Sequence, residues 1–345
     1  MCGGNCGSAL GMLKRFMNGI AFAGSMVVDH LRQIEVLPAR SELARVLSVG
    51  NSTGGCVCNT GMDFAILDPS VPVMAAGVVG NDADGDLVVN RLSAAGLDTS
   101  RIVRRGTTAF TDVVAERSNG CRTFYYYGGA CDTFDVDDLD FTRLDCKIFH
   151  IGYLLLLNRL DEEDPEYGTR MAEVLARVQA CGVKTSIDVV SENSDRFMKI
   201  VSPALKYVDY LTFNEIEAGK TVGVELRRPD GSLAEDRIEE VLRKLFVIGT
   251  GEWVIIHCPE GAFGLSRNGT FVTERSKKLP KGYKVGSVGA GDAFCAGVLL
   301  AAYRGLSIGD ALIYGNASAQ VSLRDASASG SMVTIEEAIE EYNRY

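Results

Sequence analysis

Short apolar runs alternate with longer amphipathic segments along most of this chain. The runs with the length and composition of buried strands are Ile20–Gly24, Pro72–Val79, Lys147–Gly152, Val183–Asp188, Val208–Phe213 and Trp253–His257. Between them, Asp84–Ala95 and Pro165–Cys181 carry apolar residues at helical spacing, and Gly96 and Gly182 follow as residues that favour helix ends. This alternation predicts an α/β fold with a mostly parallel central sheet between two layers of helices.

Two segments, about 33–50 and 101–130, interrupt the alternation because their patterns are typical of strands without a helix between them. In the second segment, Thr111–Glu116 and Arg122–Tyr127 are rich in Thr, Val, Phe and Tyr, and Ser118-Asn119-Gly120 is a hairpin-type turn. We predict a small antiparallel β lid beside the main sheet, which would exclude water from a bound ligand. The alternatives are an ordinary sheet edge or a contact in a homodimer, and these are compatible with a lid.

The C-terminal third of the chain has a helical pattern over Ala290–Arg304, Ile308–Ser322 and Thr334–Tyr345. We find no internal repeat and no composition shift that would mark an interdomain linker. The sequence therefore predicts a single α/β domain over residues 18–345, preceded by an extension, residues 1–17, whose order the pattern does not determine.

Composition narrows the classes of function. The chain has 45 acidic and 35 basic residues and a net charge of −10, with no Lys/Arg block, so nucleic acid is not an expected partner. Its ten cysteines are scattered and accompanied by three histidines, which favours reduced thiols over a zinc site. No apolar stretch reaches the length of a membrane span, and only about five residues lie between Arg15 and the cleavage-like segment Ala21-Phe22-Ala23, fewer than a signal-peptide core needs. We expect a cytoplasmic protein without a membrane partner.

The strongest chemical signal is the segment Gly289–Asp292, whose small residues lead into a helix with an apolar face at Phe294, Val298 and Leu299. Backbone N–H groups at such a helix start can point toward one place and form an anion cradle suited to phosphate. The carboxylate of Asp292 beside this cradle could accept a proton from an attacking hydroxyl. The structural alternative is a glycine turn with Asp292 as a helix cap.

In this segment the chain resembles the ribokinase-like (PfkB) family of carbohydrate and nucleoside kinases, whose C-terminal signature contains Gly-Ala-Gly-Asp-Ala-Phe. Further segments similar to those of the family occur in the same order, namely Gly24-Ser25 with Asp29, Gly54-Gly55 with Asn59, Gly77–Gly85, and Asn214-Glu215-Ile216-Glu217. The resemblance covers about residues 18–340. It implies a ribokinase-like three-layer sandwich and ATP-dependent phosphorylation of a hydroxyl of a sugar or sugar-like molecule, with Mg²⁺ as cofactor.

The resemblance also implies a role for each motif. Asp292 would be the general base, and the anion hole would be formed by the backbone amides of Gly289, Ala290, Gly291 and Asp292. The residues implied in substrate binding are Asp29, Gly54, Gly55 and Asn59. Those implied in nucleotide binding are Asn214, Glu217, Gly261 and Asn316, with Asn214 and Glu217 organising Mg²⁺ through water. From the residues alone, Asn214 and Glu217 can equally form a helix N-cap and its capping box.

Two segments depart from the family pattern. Gly286-Ser287 stand where the family often has Asp-Thr, which removes a carboxylate from a loop that sometimes binds a monovalent cation. Cys258-Pro259-Glu260-Gly261 is similar to the family's Gly-x-x-Gly nucleotide loop with its first glycine replaced, so donor specificity stays open. These departures favour the alternative of a non-catalytic protein that senses sugar or nucleotide. Retention of Asp292 together with Asn214 and Glu217 favours a kinase.

Several acceptors fit the predicted substrate site: ribose, fructose, a 2-keto-3-deoxy sugar acid or a nucleoside. An acidic sugar would require a cation near the pocket, for which Arg105 and Arg122 of the predicted lid are candidates. The aromatic run Phe124–Tyr127 could stack on a nucleobase, although strand alternation would direct only half of these side chains toward a ligand. A simple sugar with a primary hydroxyl is the interpretation that we take to the structure.

Overall fold

The computed structural model describes residues 18–190 and 196–345, so the predicted extension, residues 1–17, lies outside the described residues. The strands are, in chain order, β1 Ile20–Gly24, β2 Val27–Ile34, β3 Val46–Gly54, β4 Val73–Val79, β5 Asp98–Arg104, β6 Ala109–Glu116, β7 Arg122–Tyr127, β8 Ile148–Leu154, β9 Glu163–Asp164, β10 Gly168–Thr169, β11 Lys184–Val189, β12 Tyr210–Asn214, β13 Trp253–Cys258, β14 Gly261–Ser266 and β15 Phe271–Arg275. The α-helices are α1 Met62–Leu67, α2 Ala83–Ala94, α3 Arg170–Ala180, α4 Phe197–Leu205, α5 Glu215–Val222, α6 Ile238–Ile248, α7 Ala290–Arg304, α8 Ile308–Ser322 and α9 Ile335–Tyr342.

A nine-stranded central sheet has the order β15-β14-β13-β12-β11-β8-β1-β4-β5. The strands from β13 to β5 run parallel, and β14 and β15 are added antiparallel at one edge. Because the interior strands are covered on both faces, they are continuously apolar, as in Ile20–Gly24, where every residue is buried. The predicted α/β class with a mostly parallel sheet is confirmed.

Helices cover both faces of this sheet and complete three layers. On one face, α3 and α6 contribute Leu175 and Leu242 to the larger apolar core. On the other face, α1, α2 and α7 contribute Phe64, Leu92 and Leu299 to a second core. None of the helices within residues 18–190 and 196–345 is long and apolar enough to cross a lipid bilayer.

A second, four-stranded sheet, here called the small sheet, has the order β3-β2-β6-β7. Its hairpin β6–β7 is the one predicted around Ser118-Asn119-Gly120. Two details of the lid prediction are wrong. The small sheet is mixed, because β2 and β6 pair parallel, and residues 101–104 belong to β5, the edge of the central sheet. The predicted segments also missed most of β2, which is separated from β1 by only two residues, Ser25 and Met26.

Local capping explains where the predicted helices begin. The helix predicted over Pro165–Cys181 starts later, at Arg170, because β9 and β10 pair as a short hairpin before it. Thr169 then caps the helix, as its hydroxyl oxygen accepts the backbone N–H of Ala172 at 3.2 Å. In the C-terminal third, α7 and α8 have the predicted bounds and α9 is slightly shorter than predicted.

Helix α7, which carries Asp292, approaches α8 closely through glycines. A Cβ atom at Gly297 would lie 2.4 Å from the carbonyl oxygen of Tyr314, and one at Gly315 would lie 2.7 Å from the ring of Phe294. Real Cβ contacts are not this short, so the two helices can pack at this distance only because both positions lack a side chain. This packing fixes the start of α7 relative to the sheet.

We therefore expect Gly315→Ala to lower the free energy of unfolding by about 1–3 kcal/mol through overpacking, although alanine favours helix more than glycine does. Gly309→Ala in the same helix is a matched control, because its Cβ would meet only the Ser307 hydroxyl oxygen, at 3.6 Å. Urea denaturation of the two variants measures the difference. Equal stability of the two variants would contradict the proposed close packing.

Candidate active site

Polar side chains gather where the parallel strands end. Tyr153, Asp188 and His257 each lie one residue before the end of β8, β11 and β13, and Asn214 is the last residue of β12. The carboxyl ends of parallel strands share one edge of the sheet, which is where α/β proteins bind ligands. Asp292 reaches the same edge from the first turn of α7. The fold therefore brings these five residues, which are distant in sequence, into one region.

Three hydrogen bonds hold the carboxylate of Asp292. The Tyr153 hydroxyl and the Thr60 hydroxyl donate to Oδ1 at 2.6 Å and 3.0 Å, and Asn59 Nδ2 donates to Oδ2 at 3.1 Å. Burial raises the pKa of Asp292 above its ordinary value, whereas these hydrogen bonds act to lower it. The group is thus fixed in orientation and has a higher affinity for a proton than an exposed aspartate.

A cavity of about 280 Å³ beside Asp292 is lined by two further acidic residues, Asp188 and Glu217. Burial, followed by the nearby charges of Glu217 and Asp292, raises the pKa of Asp188 well above its ordinary value. Three carboxyl groups that face a common space repel one another when they are ionised, and a bound cation would relieve that repulsion. This donor set, all oxygen and partly held by other hydrogen bonds, fits a hard divalent cation such as Mg²⁺ bound through water.

Asn214 and Glu217 form the helix cap that the sequence allowed. The side-chain oxygen of Asn214 accepts the backbone N–H groups of Ile216 and Glu217 at 2.9 Å and 2.8 Å. Glu217 Oε2 accepts the backbone N–H of Asn214 at 3.0 Å, which completes a capping box at the start of α5. Both residues also line the cavity beside Asp292, so the structural role and a ligand-binding role are compatible.

A second cavity, of about 470 Å³, lies between the start of α7, α8 and the β13–β14 hairpin. His257 lines both this cavity and the one beside Asp292, and stacks on Phe294 at 4.8 Å between ring centroids. Burial lowers the pKa of His257 to about 4, so the ring is neutral near pH 7. The lining further includes Cys258, Pro259, Lys277, Lys284, Ser287 and Asn316. A cavity with both an apolar wall and cationic side chains suits a nucleotide.

Of the four residues implied in nucleotide binding, Asn214 and Asn316 line this cavity, Glu217 lines the cavity beside Asp292, and Gly261 lines neither. It starts β14, where a Cβ atom would lie 2.5 Å from the carbonyl oxygen of Glu274, so the glycine allows close strand packing. The segment Cys258–Gly261, which departs from the family pattern, is held by an ion pair. Two oxygens of Glu260 bind the guanidinium of Arg227 at 2.5 Å and 2.9 Å. Arg227 also pairs with Glu215 at 2.8 Å, and this ties the loop to the first turn of α5.

The largest of these three cavities, about 790 Å³, lies beneath the small sheet and is lined by Asp29, Gly54 and Asn59 among others. Gly24 ends β1, and Asp29 follows in β2 of the small sheet. Burial raises the pKa of Asp29, and hydrogen bonds from Thr111 and Ser52 act to lower it. Asn59 connects this cavity to Asp292 through its hydrogen bond.

Gly55 has a different position from the other residues implied in substrate binding. It does not line the large cavity; its φ of 87° and a potential Cβ contact of 2.5 Å with the carbonyl oxygen of Ser25 make it a turn residue. Gly286 is similarly constrained, since a Cβ atom there would lie 2.7 Å from the carbonyl oxygen of Asp325. The aspartate that the family often has at this position would collide with that oxygen.

The two arginines considered for an acidic substrate differ in their surroundings. Arg105 is occupied by Asp138, with both nitrogen–oxygen distances at 2.6 Å, and it does not line the large cavity. Arg122 lines the cavity at the far end of the small sheet. Arg91 of α2 also lines this cavity, and its guanidinium donates to the carbonyl oxygen of Asn51 at 3.5 Å.

Sequence reasoning missed four residues that surround Asp292 or its cavities. Three of them are Tyr153, Asp188 and His257. Each lies at the carboxyl end of a correctly predicted parallel strand, so the position of polar residues at strand ends was the available signal. Thr60, the fourth, directly follows Asn59 and has no spacing signal of its own.

Comparison with known proteins identifies the family of this chain. A model of the pfkB family carbohydrate kinases matches residues 17–335, so the chain belongs to that family. It is similar to 5-dehydro-2-deoxygluconokinase of Clostridium perfringens, with 27% identity over 297 residues, covering 84% of this chain and 83% of the relative. It is also similar to adenosine kinase of Schizosaccharomyces pombe, with 23% identity over 288 residues and 78% of each chain covered.

Among solved structures, ribokinase of Arabidopsis thaliana complexed with ribose and ATP has a TM-score of 0.76 and 21% identity, covering 95% of this chain and 99% of that one. The ribokinase-like fold and the family resemblance are thereby confirmed. The protein is a phosphotransferase with an alcohol group as acceptor, a sugar or nucleoside kinase of the PfkB family.

One buried acid close to this site has no partner. Asp63 in α1 is 0% exposed, and neither of its carboxyl oxygens has a hydrogen-bond partner among the described residues. Burial, together with the charge of Asp292, raises its pKa well above the ordinary value. Burial therefore favours the protonated form of Asp63 in the folded protein, whereas the carboxyl group ionises more readily in the unfolded chain.

This difference predicts a pH-dependent stability. An unfolded aspartate ionises at about pH 4, so the wild-type protein loses stability as the pH rises above that value toward the folded pKa of Asp63. Asp63→Asn removes this ionisation, and we expect its advantage in Tm over wild type to grow from pH 4 to pH 8. Thermal unfolding at several pH values measures the trend. A difference in Tm that does not change with pH would contradict the protonated state.

Proposed function

We propose that this kinase transfers the γ-phosphoryl group of ATP in line to a primary hydroxyl of a sugar or sugar-like molecule, with Asp292 as the general base. The observation that carries the proposal is the position of Asp292 between two cavities. Asn59, which binds its carboxylate, lines the cavity beneath the small sheet, and Gly291, its neighbour, lines the cavity that suits a nucleotide. An acceptor hydroxyl and a phosphate can thus approach the same carboxylate from opposite sides.

In this mechanism the carboxylate of Asp292 takes the proton of the acceptor hydroxyl as that oxygen attacks the phosphorus atom. The backbone N–H groups at the start of α7, from Gly289 to Asp292, lack intrahelical partners and would stabilise the charge on the equatorial phosphate oxygens. Gly289 begins this turn with a φ of 77°, a conformation that favours glycine. The substrate hydroxyls would be held by Asp29, Asn59 and the backbone at Gly54.

ATP would occupy the cavity lined by Asn316 and Asn214. Asn214 and Glu217, assisted by Asp188, would hold Mg²⁺ through water molecules, and the ion would neutralise negative charge on the phosphates. A monovalent cation is a weaker proposal, because the collision at Gly286 leaves no room for the carboxylate of the family pattern.

The small sheet would act as the lid, since it forms one wall of the acceptor cavity. Its outer strands β3 and β7 have free edges, and Leu47 and Tyr125 on them are 41% and 57% exposed. We propose that these edges support a homodimer. A cytoplasmic location is our further proposal, consistent with eight free cysteines among the described residues.

Replacement of the proposed base tests the mechanism directly. Asp292→Asn should lower turnover by about 10²–10⁴-fold, because the amide cannot accept the proton, while ADP binding and thermal unfolding stay near wild type. ADP release from Mg·ATP across a panel of sugars, sugar acids and nucleosides measures this. Asp230→Asn, in an exposed loop, is the matched control. Wild-type turnover by Asp292→Asn would refute the assignment of the base.

The hydrogen bond from Tyr153 gives a second test, in the pH profile. This bond lowers the pKa of Asp292, so Tyr153→Phe should raise that pKa and shift the acidic limb of kcat/KM toward higher pH. The loss of activity should therefore be largest at low pH and smallest at high pH, where Asp292 is ionised in both proteins. Tyr125→Phe, which removes an exposed hydroxyl, should leave the limb in place. An unshifted limb in Tyr153→Phe would show that Asp292 does not set it.

A further inference from the structure

The small sheet forms one wall of the acceptor cavity. Along its strands, cross-strand rows of residues alternate between polar and apolar side chains. Strand register aligns Asp29 with Ser52 and Thr111 in the first row, which is polar. The second row, two residues further along each strand, is apolar and consists of Leu31, Gly50, Val113 and Phe124. The third row is polar with one cation and consists of Gln33, Ser48, Ala115 and Arg122. All of these residues line the same cavity.

The order of the rows relative to Asp292 is fixed by the end of β3. Gly54 ends this strand, a Cβ atom on it would lie 3.2 Å from Asp29 Oδ2, and Asn59, five residues later, binds Asp292. The polar row therefore lies at the catalytic end of the cavity. Since two residues of a strand span about 7 Å, the apolar row lies about 7 Å farther from the base and the cationic row about 14 Å farther.

The apolar row is exposed to the cavity. Leu31 is 41% and Phe124 is 61% exposed, while Val113, which pairs with both in register, is 6% exposed. Strand register places the three side chains on the same face of the small sheet. Apolar side chains that are grouped in a cavity and rimmed by polar residues are typical of a binding surface for an apolar part of a ligand. A monosaccharide held by the polar row would leave this second row uncovered.

We propose that the acceptor is a polyol that carries an apolar ring, such as a glycoside or nucleoside, and not a free monosaccharide. Its hydroxyls contact the row of Asp29, and its ring packs on Leu31, Val113 and Phe124. The inference rests on the proposed function, because it takes the cavity beneath the small sheet as the acceptor site. It names the substrate class that the apolar row selects.

Matched acceptors test this class. Methyl and phenyl β-D-ribofuranosides, and the corresponding fructofuranosides, present the same polyol with and without a ring. We expect kcat/KM to be at least about tenfold higher for a phenyl than for a methyl glycoside, and we expect inosine to exceed ribose similarly. Phe124→Ala should raise KM for the ring-bearing acceptor roughly 10-fold or more and leave KM for the methyl glycoside within about twofold.

Tyr125→Ala is the control, because this neighbouring tyrosine is 57% exposed and does not line the cavity. It should leave KM for both acceptors within about twofold. Equal kcat/KM for free sugars and ring-bearing acceptors, with loss of turnover in Asp292→Asn, would overturn the substrate class and keep the proposed function. Turnover that persists in Asp292→Asn would overturn the proposed function instead. If Phe124→Ala alters sedimentation and neither KM value, the apolar row is a contact between two copies and the inference fails.

Discussion

The candidate active site depends on how one carboxylate is held. Asp292 lies in the first turn of α7, and its three hydrogen-bond donors come from the short helical turn that carries Asn59 and Thr60 and from the end of β8, which carries Tyr153. These elements belong to different parts of the chain, yet their donors converge on two oxygen atoms. Burial alone would favour the neutral acid, and the three donors oppose that tendency, so the site can hold an ionised carboxylate away from bulk water.

Much of the fold could be predicted from sequence because interior parallel strands must be apolar on both faces. The runs at Ile20–Gly24 and Trp253–His257 show this pattern clearly and differ from the observed strands by at most one residue. The small sheet was harder, because its strands have one cavity-facing and one opposite face and follow other elements without a clear break. Only Ser25 and Met26 separate β2 from β1, for example, and most of β2 was therefore missed.

The candidate site was predictable to the extent that its residues lie in local motifs. Gly289–Asp292 and the capping pair Asn214 and Glu217 have fixed spacing, since each works within a single turn of helix. Tyr153 and Thr60 contact Asp292 across more than one hundred positions in sequence, and no local spacing can encode such a contact. Gly261 is an error of the opposite kind. Its motif implied nucleotide binding, whereas in the structure this glycine allows close packing of β14 and does not line the nucleotide cavity.

The path of β3 has a mechanical consequence. This strand forms one edge of the small sheet, ends at Gly54 and continues directly into the turn that carries Asn59 and Thr60. Any tilt of the small sheet is therefore transmitted along a few residues to two of the three donors on Asp292. The proton affinity of Asp292, the proposed base, would then depend on the position of the small sheet, and a movement of the sheet on acceptor binding would change that affinity. Such a linkage would restrain phosphoryl transfer to water before an acceptor is bound.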